Sequence, residues 1–194
     1  MNENLLKVVE DELKSRQGAH DMSHILRVLE TAREIAGQEN ANIKIVEAMV
    51  LLHDIVRFEG AKETESVERA IGKAKQILEK TGYSRQEIEE IVKGIKSHSI
   101  HSKMLIEPET LEEKVLFDAD KIDAAGSIGI ARWFMTMGNR NISVKEAAKL
   151  YLKEAKDLEC KRKGKLYTET GTRIIKPKIA ESKNFMEQLT KLLR

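Results

Sequence analysis

The chain has 194 residues, of which 41% are apolar and 34% charged, and its formal net charge is +2. That length suits one domain whose core needs no disulfide or metal staple, and a single cysteine, Cys160, excludes an intramolecular disulfide. Lys and Arg are interleaved with Asp and Glu, which disfavours a nucleic-acid partner.

The N-terminal segment, residues 1–7, is charged and amphipathic and lacks the apolar centre of a signal peptide. The longest apolar runs, such as 48–52, are too short to span a bilayer. A cytoplasmic protein without a membrane partner is the expectation. With only two prolines and long stretches of Glu, Lys, Ala, Leu and Ile, the chain favours helix. Apolar positions recur every three or four residues, as in Leu26, Leu29, Ala32, Ile35 and Ala36 or Ile88, Ile91, Val92 and Ile95. The pattern predicts an all-α, single-domain protein over 1–194, with a core part at about 20–135 and a C-terminal helical part at about 143–194.

In chain order, a first helix covers about 3–15 and stops before Gly18. A second opens at Asp21 or Ser23, either of which can cap it, and ends at Gly37. A third covers about 42–55, followed by a loop around Gly60. Helices at about 65–80 and 84–97 are separated by Thr81-Gly82. Pro108 lies in a connection, and a further helix runs from Thr110 to Asp123. Gly126, Gly129 and Gly138 obscure the next stretch. Helices near 143–158 and 178–193 complete the chain, with the basic run 160–165 as a solvated loop between them.

Four segments carry chemistry. In Ala48-Met49-Val50-Leu51-Leu52-His53-Asp54-Ile55, an apolar run delivers an imidazole and a carboxylate to the core. A buried carboxylate is costly unless paired or bound to a cation. His20 and His24 are four apart and would chelate together if both were helical, but Asp21 as a cap would leave His20 ahead of the helix. Asp118, Asp120 and Asp123 follow another apolar run; at about 100° per residue, Asp120 and Asp123 share one side and Asp118 points elsewhere. His98 and His101 end an apolar helix. Each segment alone also reads as a polar helix end. Two imidazoles and two carboxylates together suit a divalent ion such as Mn, Fe, Co, Ni or Zn.

The order His24, then His53-Asp54, then a distal Asp resembles the HD-domain superfamily of metal-dependent phosphohydrolases. His24-Ile25-Leu26-Arg27-Val28 matches the opening motif, Leu51-Leu52-His53-Asp54-Ile55 the doublet, and Ala119-Asp120-Lys121-Ile122-Asp123-Ala124 the distal segment. The phrase from Asp118 to Arg132, and Thr168-Glu169-Thr170 with Asn184-Phe185-Met186, are similar to a subfamily of small bacterial and archaeal HD hydrolases, some of which act on nucleoside triphosphates.

The resemblance implies an HD-type helical bundle. It implies one divalent ion (Mn, Mg, Co, Ni, Fe or Zn) held by His24, His53, Asp54 and Asp120, with Asp118 as the competitor of Asp120. A mechanism that fits such a site has Arg27 and Lys121 hold phosphate charge, Arg27 being the better candidate because a guanidinium forks onto two oxygens, has His98 protonate the leaving oxygen or bind the neighbouring phosphate, and has Asp54 or Glu59 orient water. The implied partner is a small phosphorylated substrate, a nucleotide by preference, with a homodimer left open. Val56, Arg57 and Phe58 stand where some members carry acids after the doublet. A catalytically degenerate HD-fold module that binds metal and nucleotide is therefore the alternative.

Overall fold

Asparagine, aspartate or threonine stands at the start of five helices, and in each its side chain accepts a hydrogen bond from the first-turn backbone. A computed structural model describes residues 2–16, 18–56, 63–97, 107–161 and 166–193. Among them there is helix and no strand. The elements are α1 (Glu3–Leu13), α2 (Met22–Glu39), α3 (Ile43–Leu52), α4 (Glu63–Lys80), α5 (Arg85–Ser97), α6 (Leu111–Asp123), α7 (Gly126–Asn139), α8 (Val144–Lys161) and α9 (Glu169–Leu192). His98, His101, Glu59, Arg57, Phe58 and the basic positions 162–165 lie outside the described residues.

α3 is the central pillar. All eight residues from Ile45 to Leu52 are buried, and α1, α2, α5 and α6 pack around it. Seven of the eight are apolar, and the six larger than alanine each contribute roughly 1.5–3 kcal/mol by burial. The eighth, Glu47, accepts a 2.7 Å hydrogen bond from Arg33 Nε. The close approach of α5 to α3 depends on Gly94, because a Cβ there would lie 2.4 Å from Met49 Sδ. α4 packs on α5, while α9 packs on α6 and α7 and extends the bundle toward α8.

Two segments depart from the sequence pattern. The glycine-bearing stretch 126–139 is one helix, α7. Its first turn is capped from α9: Ser182 Oγ accepts from Gly126 N–H and Glu181 Oε2 from Ser127 N–H. The last helix begins at Glu169, not near 178, and Pro177 lies inside it. Thr168 caps this start by accepting from Gly171 N–H. Among the described residues no helix is long and apolar enough to cross a membrane.

Candidate metal centre

The ends of three helices deliver the polar groups. Asp21 caps α2 and accepts from His24 N–H at 3.1 Å, so His24 stands in the first turn and His20 precedes the helix. His53 is the C-cap of α3 and Asp54 lies in the following turn. That turn is held by Arg16, whose guanidinium donates to the carbonyls of Asp54 at 2.6 Å and Ile55 at 2.7 Å. Such groups at a helix end otherwise lack partners. Asp120 and Asp123 occupy the last turn of α6.

The tautomers follow from the partners. His53 Nδ1 lies 2.7 Å from the carbonyl oxygen of Val50, which can only accept, so Nδ1 donates. His24 Nδ1 lies 2.7 Å from Asp123 Oδ2. Burial opposes the Asp123 charge, but hydrogen bonds from His24 and Arg27 and the nearby Arg132 charge prevail and hold its carboxyl well below the usual range. Asp123 therefore accepts, and each neutral ring keeps its lone pair on Nε2. These two nitrogens face each other at 3.3 Å, in side chains with no exposure. Two lone pairs so placed repel unless a cation, or a proton on one ring, lies between them.

Carboxylates complete the cluster. Asp54 Oδ2 is 3.7 Å from His24 Nε2 and 3.5 Å from His53 Nε2; Asp120 Oδ1 is 3.7 and 4.0 Å from the same atoms. Bonds of about 2.0–2.2 Å to one ion set its donors roughly 3–4.3 Å apart, so the chemistry and spacing of this set fit a divalent metal. Burial disfavours a charged His24, yet hydrogen bonds to Asp123 and Asp54 and the Asp120 charge outweigh it and raise the pKa of the ring. The pocket thus attracts positive charge.

The structure brings together His24, His53, Asp54 and Asp120. His20 joins them, its Nδ1 2.7 Å from Asp54 Oδ2, and His20, His24 and Asp54 form an overlapping set able to hold an ion. Lys121 Nζ donates to Asp120 Oδ2 at 3.1 Å and lies 5.0 Å from the Phe117 ring centroid. Arg27 is beside the cluster but engaged: Nε and Nη2 reach Asp123 at 2.7 and 3.2 Å and Nη1 reaches Ser23 Oγ at 3.0 Å. Asp118 turns away toward the start of α9. His98 lies outside the described residues.

Arg132, not among the residues expected at the site, donates to Asp123 Oδ2 at 2.6 Å and to the Ala19 carbonyl at 2.8 Å. A signal was present, because Arg132 is the only charged residue between Asp123 and Arg140.

Comparison with known proteins bears on the family and the fold. The HD domain family model matches residues 22–125. The Bacillus subtilis protein YpgQ is 31% identical over 132 residues, which is 67% of this chain and 63% of that relative's length. The crystal structure of YpgQ in complex with ADP is similar with a TM-score of 0.74 at 25% identity, covering 98% of this chain and 97% of that one. A predicted HD superfamily hydrolase from an uncultured Thermotogales bacterium gives 0.68 at 26% identity, covering 99% and 92%. An HD-superfamily hydrolase from Bacillus thuringiensis gives 0.71 at 25%, covering 98% and 95%. With more than half its length matched by that family model, and with the matched part containing the His24, His53-Asp54 and Asp120 cluster, the chain belongs to the HD domain family.

Proposed function

We propose that the chain is a metal-dependent phosphohydrolase that cleaves a phosphate ester or anhydride, with a nucleotide as substrate. The observation that carries this reading is the pair of buried Nε2 lone pairs 3.3 Å apart, flanked by the carboxylates of Asp54 and Asp120. His24, His53, Asp54 and Asp120 would hold the ion. When bound, a divalent ion supplies an acidified water and neutralises phosphoryl oxygen charge.

The remaining roles fall to the chain's own side chains. Arg27 uses three N–H groups on Asp123 and Ser23, and its side chain is 34% exposed, which leaves donors for a phosphate oxygen. Lys121 adds a cationic head beside Asp120. His20 donates to Asp54 and keeps that carboxylate oriented. His98, outside the described residues, would protonate the leaving oxygen or bind the neighbouring phosphate, a role that rests on imidazole acid–base chemistry and its place in the sequence. The solved complex of YpgQ with ADP, and the hydrolase names of two similar structures, support the nucleotide and hydrolytic parts of the reading.

The test is to purify the chain, strip and restore divalent metals, and assay release of phosphate and pyrophosphate across a nucleotide panel. Turnover that depends on restored metal and disappears in His53→Ala and Asp54→Ala is the expected result. Full metal content and activity in those variants would overturn the assignment. Metal binding without turnover on any phosphate compound would favour the degenerate binding module.

A further inference from the structure

Asp123 sits on the opposite side of the His24 ring from the donor cluster. It meets Nδ1, whereas Nε2 faces His53, Asp54 and Asp120. Its carboxylate is only 5% exposed and also accepts from Arg27 Nε and Nη2 and from Arg132 Nη1. One acid on α6 therefore ties a histidine and an arginine of α2, and an arginine of α7, into a single buried network.

We propose that Asp123 is the positioning residue of the site. It holds His24 in the Nδ1–H form, so that the Nε2 lone pair is presented to the cation, and it anchors Arg27 and Arg132 at the rim. The inference rests on the metal-dependent reading above.

A second tautomer of His24 competes with the Nδ1–H form. A neutral imidazole has one donor and one acceptor nitrogen. Were the proton on Nε2, His24 would hydrogen-bond directly to His53 Nε2 across the 3.3 Å gap, and the proton would occupy the place of the metal. An acceptor-only carboxylate at Nδ1 suppresses that state. An amide at position 123 suppresses it less, because only one of its two terminal atoms accepts, whereas both oxygens of Asp123 accept. With the amide oxygen at the Oδ2 position, which serves both His24 and Arg132, the NH2 group faces Arg27 Nε; with the oxygen turned to Arg27 Nε, the NH2 group faces His24 Nδ1 and the ring must carry its proton on Nε2.

The experiment uses the full chain with ¹⁵N-labelled histidine, metal-free, at a pH high enough that the His24 ring-nitrogen shifts no longer change with further base. The ring-nitrogen shifts of His24 should report the Nδ1–H form in the wild type and a substantial Nε2–H population in Asp123→Asn. Cobalt(II), followed by its visible absorption, should bind the variant about 10–100-fold more weakly. Cobalt affinity within twofold of wild type in Asp123→Asn overturns the proposal. So does an Nε2–H form of His24 in the wild type, a reading that needs no variant to fold. A wild type that binds no cobalt overturns the metal-dependent reading as well, so the two failures are distinguishable.

Discussion

Asp118 and Thr168, fifty residues apart, are joined by two hydrogen bonds: Asp118 Oδ2 accepts from the Thr168 backbone N–H at 2.8 Å and from its hydroxyl at 2.7 Å. Tyr167 N–H adds a third donor. The carboxylate is fully buried and fastens the start of α9 to α6. Asp118→Ala would leave these donors unsatisfied in the interior, at a cost of about 2–4 kcal/mol. Asp120→Ala should change stability far less while abolishing tight metal binding. Urea titration of both metal-free variants, paired with metal content, separates the tether from the ligand.

This contrast shows what the sequence could tell. Helical phase put Asp118 on a different side from Asp120, and that much was legible. Its partner was not, because Thr168 lies behind a proline that local rules treat as a stop. Pro177 removes one helical hydrogen bond, and an interior proline costs about 3 kcal/mol or more. The helix nevertheless runs through it, with its first turn held by Thr168, by Asp118 and by Glu39 Oε1, which accepts from Thr170 N–H. For α7 the obstacle was three glycines, each worth about 1 kcal/mol against helix, together with a cap supplied by Glu181 and Ser182 of another helix. The ligand cluster was more legible, because an apolar run ending in His53-Asp54 is a local pattern. The hub at Asp123 depends on Arg132, which a sequence reader meets only after recognising α7.

The α9 junction should respond to a single methyl group. At Gly171 a Cβ would sit 2.7 Å from Thr168 Oγ and 2.9 Å from Asp118 Oδ2, and both atoms are already committed to hydrogen bonds. Gly171→Ala is expected to destabilise by about 1–3 kcal/mol. At Gly37, an exposed position in α2, a Cβ meets nothing within 4 Å. The same substitution there should stabilise by about 0.5–1 kcal/mol. Thermal melts of the two variants should move in opposite directions.

The start of α5 carries a pH-dependent contribution. Ser84 and Glu87 cap it reciprocally: Ser84 N–H donates to Glu87 Oε2 at 2.8 Å and Glu87 N–H to Ser84 Oγ at 3.3 Å. Lys44 of α3 donates to Glu87 Oε1. The Lys44 bond, followed by that from Ser84 N–H, holds the Glu87 carboxyl down at about 2, against an ordinary 4.5. A depressed carboxylate stabilises above its unfolded pKa and ceases to do so as pH falls through the folded value. Glu87→Gln should therefore melt a few degrees below wild type at pH 7, with the gap closing between pH 4.5 and 2. Added salt at pH 7 should shrink the Lys44 part of the gap, because the pair is solvent-exposed. An unchanged gap at pH 2 would place its origin elsewhere.

Metal should act on stability as well as on turnover. Without a cation, the fold holds two imidazole lone pairs in close opposition beside the buried Asp54 carboxylate. An ion that binds only the folded chain stabilises it by about 4 kcal/mol when present at about 1,000 times its dissociation constant. Adding manganese or cobalt to the stripped protein should therefore raise the melting temperature by several degrees, and excess chelator should reverse the gain. His53→Ala removes one nitrogen of the facing pair, so the metal-dependent shift should be lost or reduced to that of a surface-binding control protein. A full shift in His53→Ala would mean that the ion stabilises the chain from some other position.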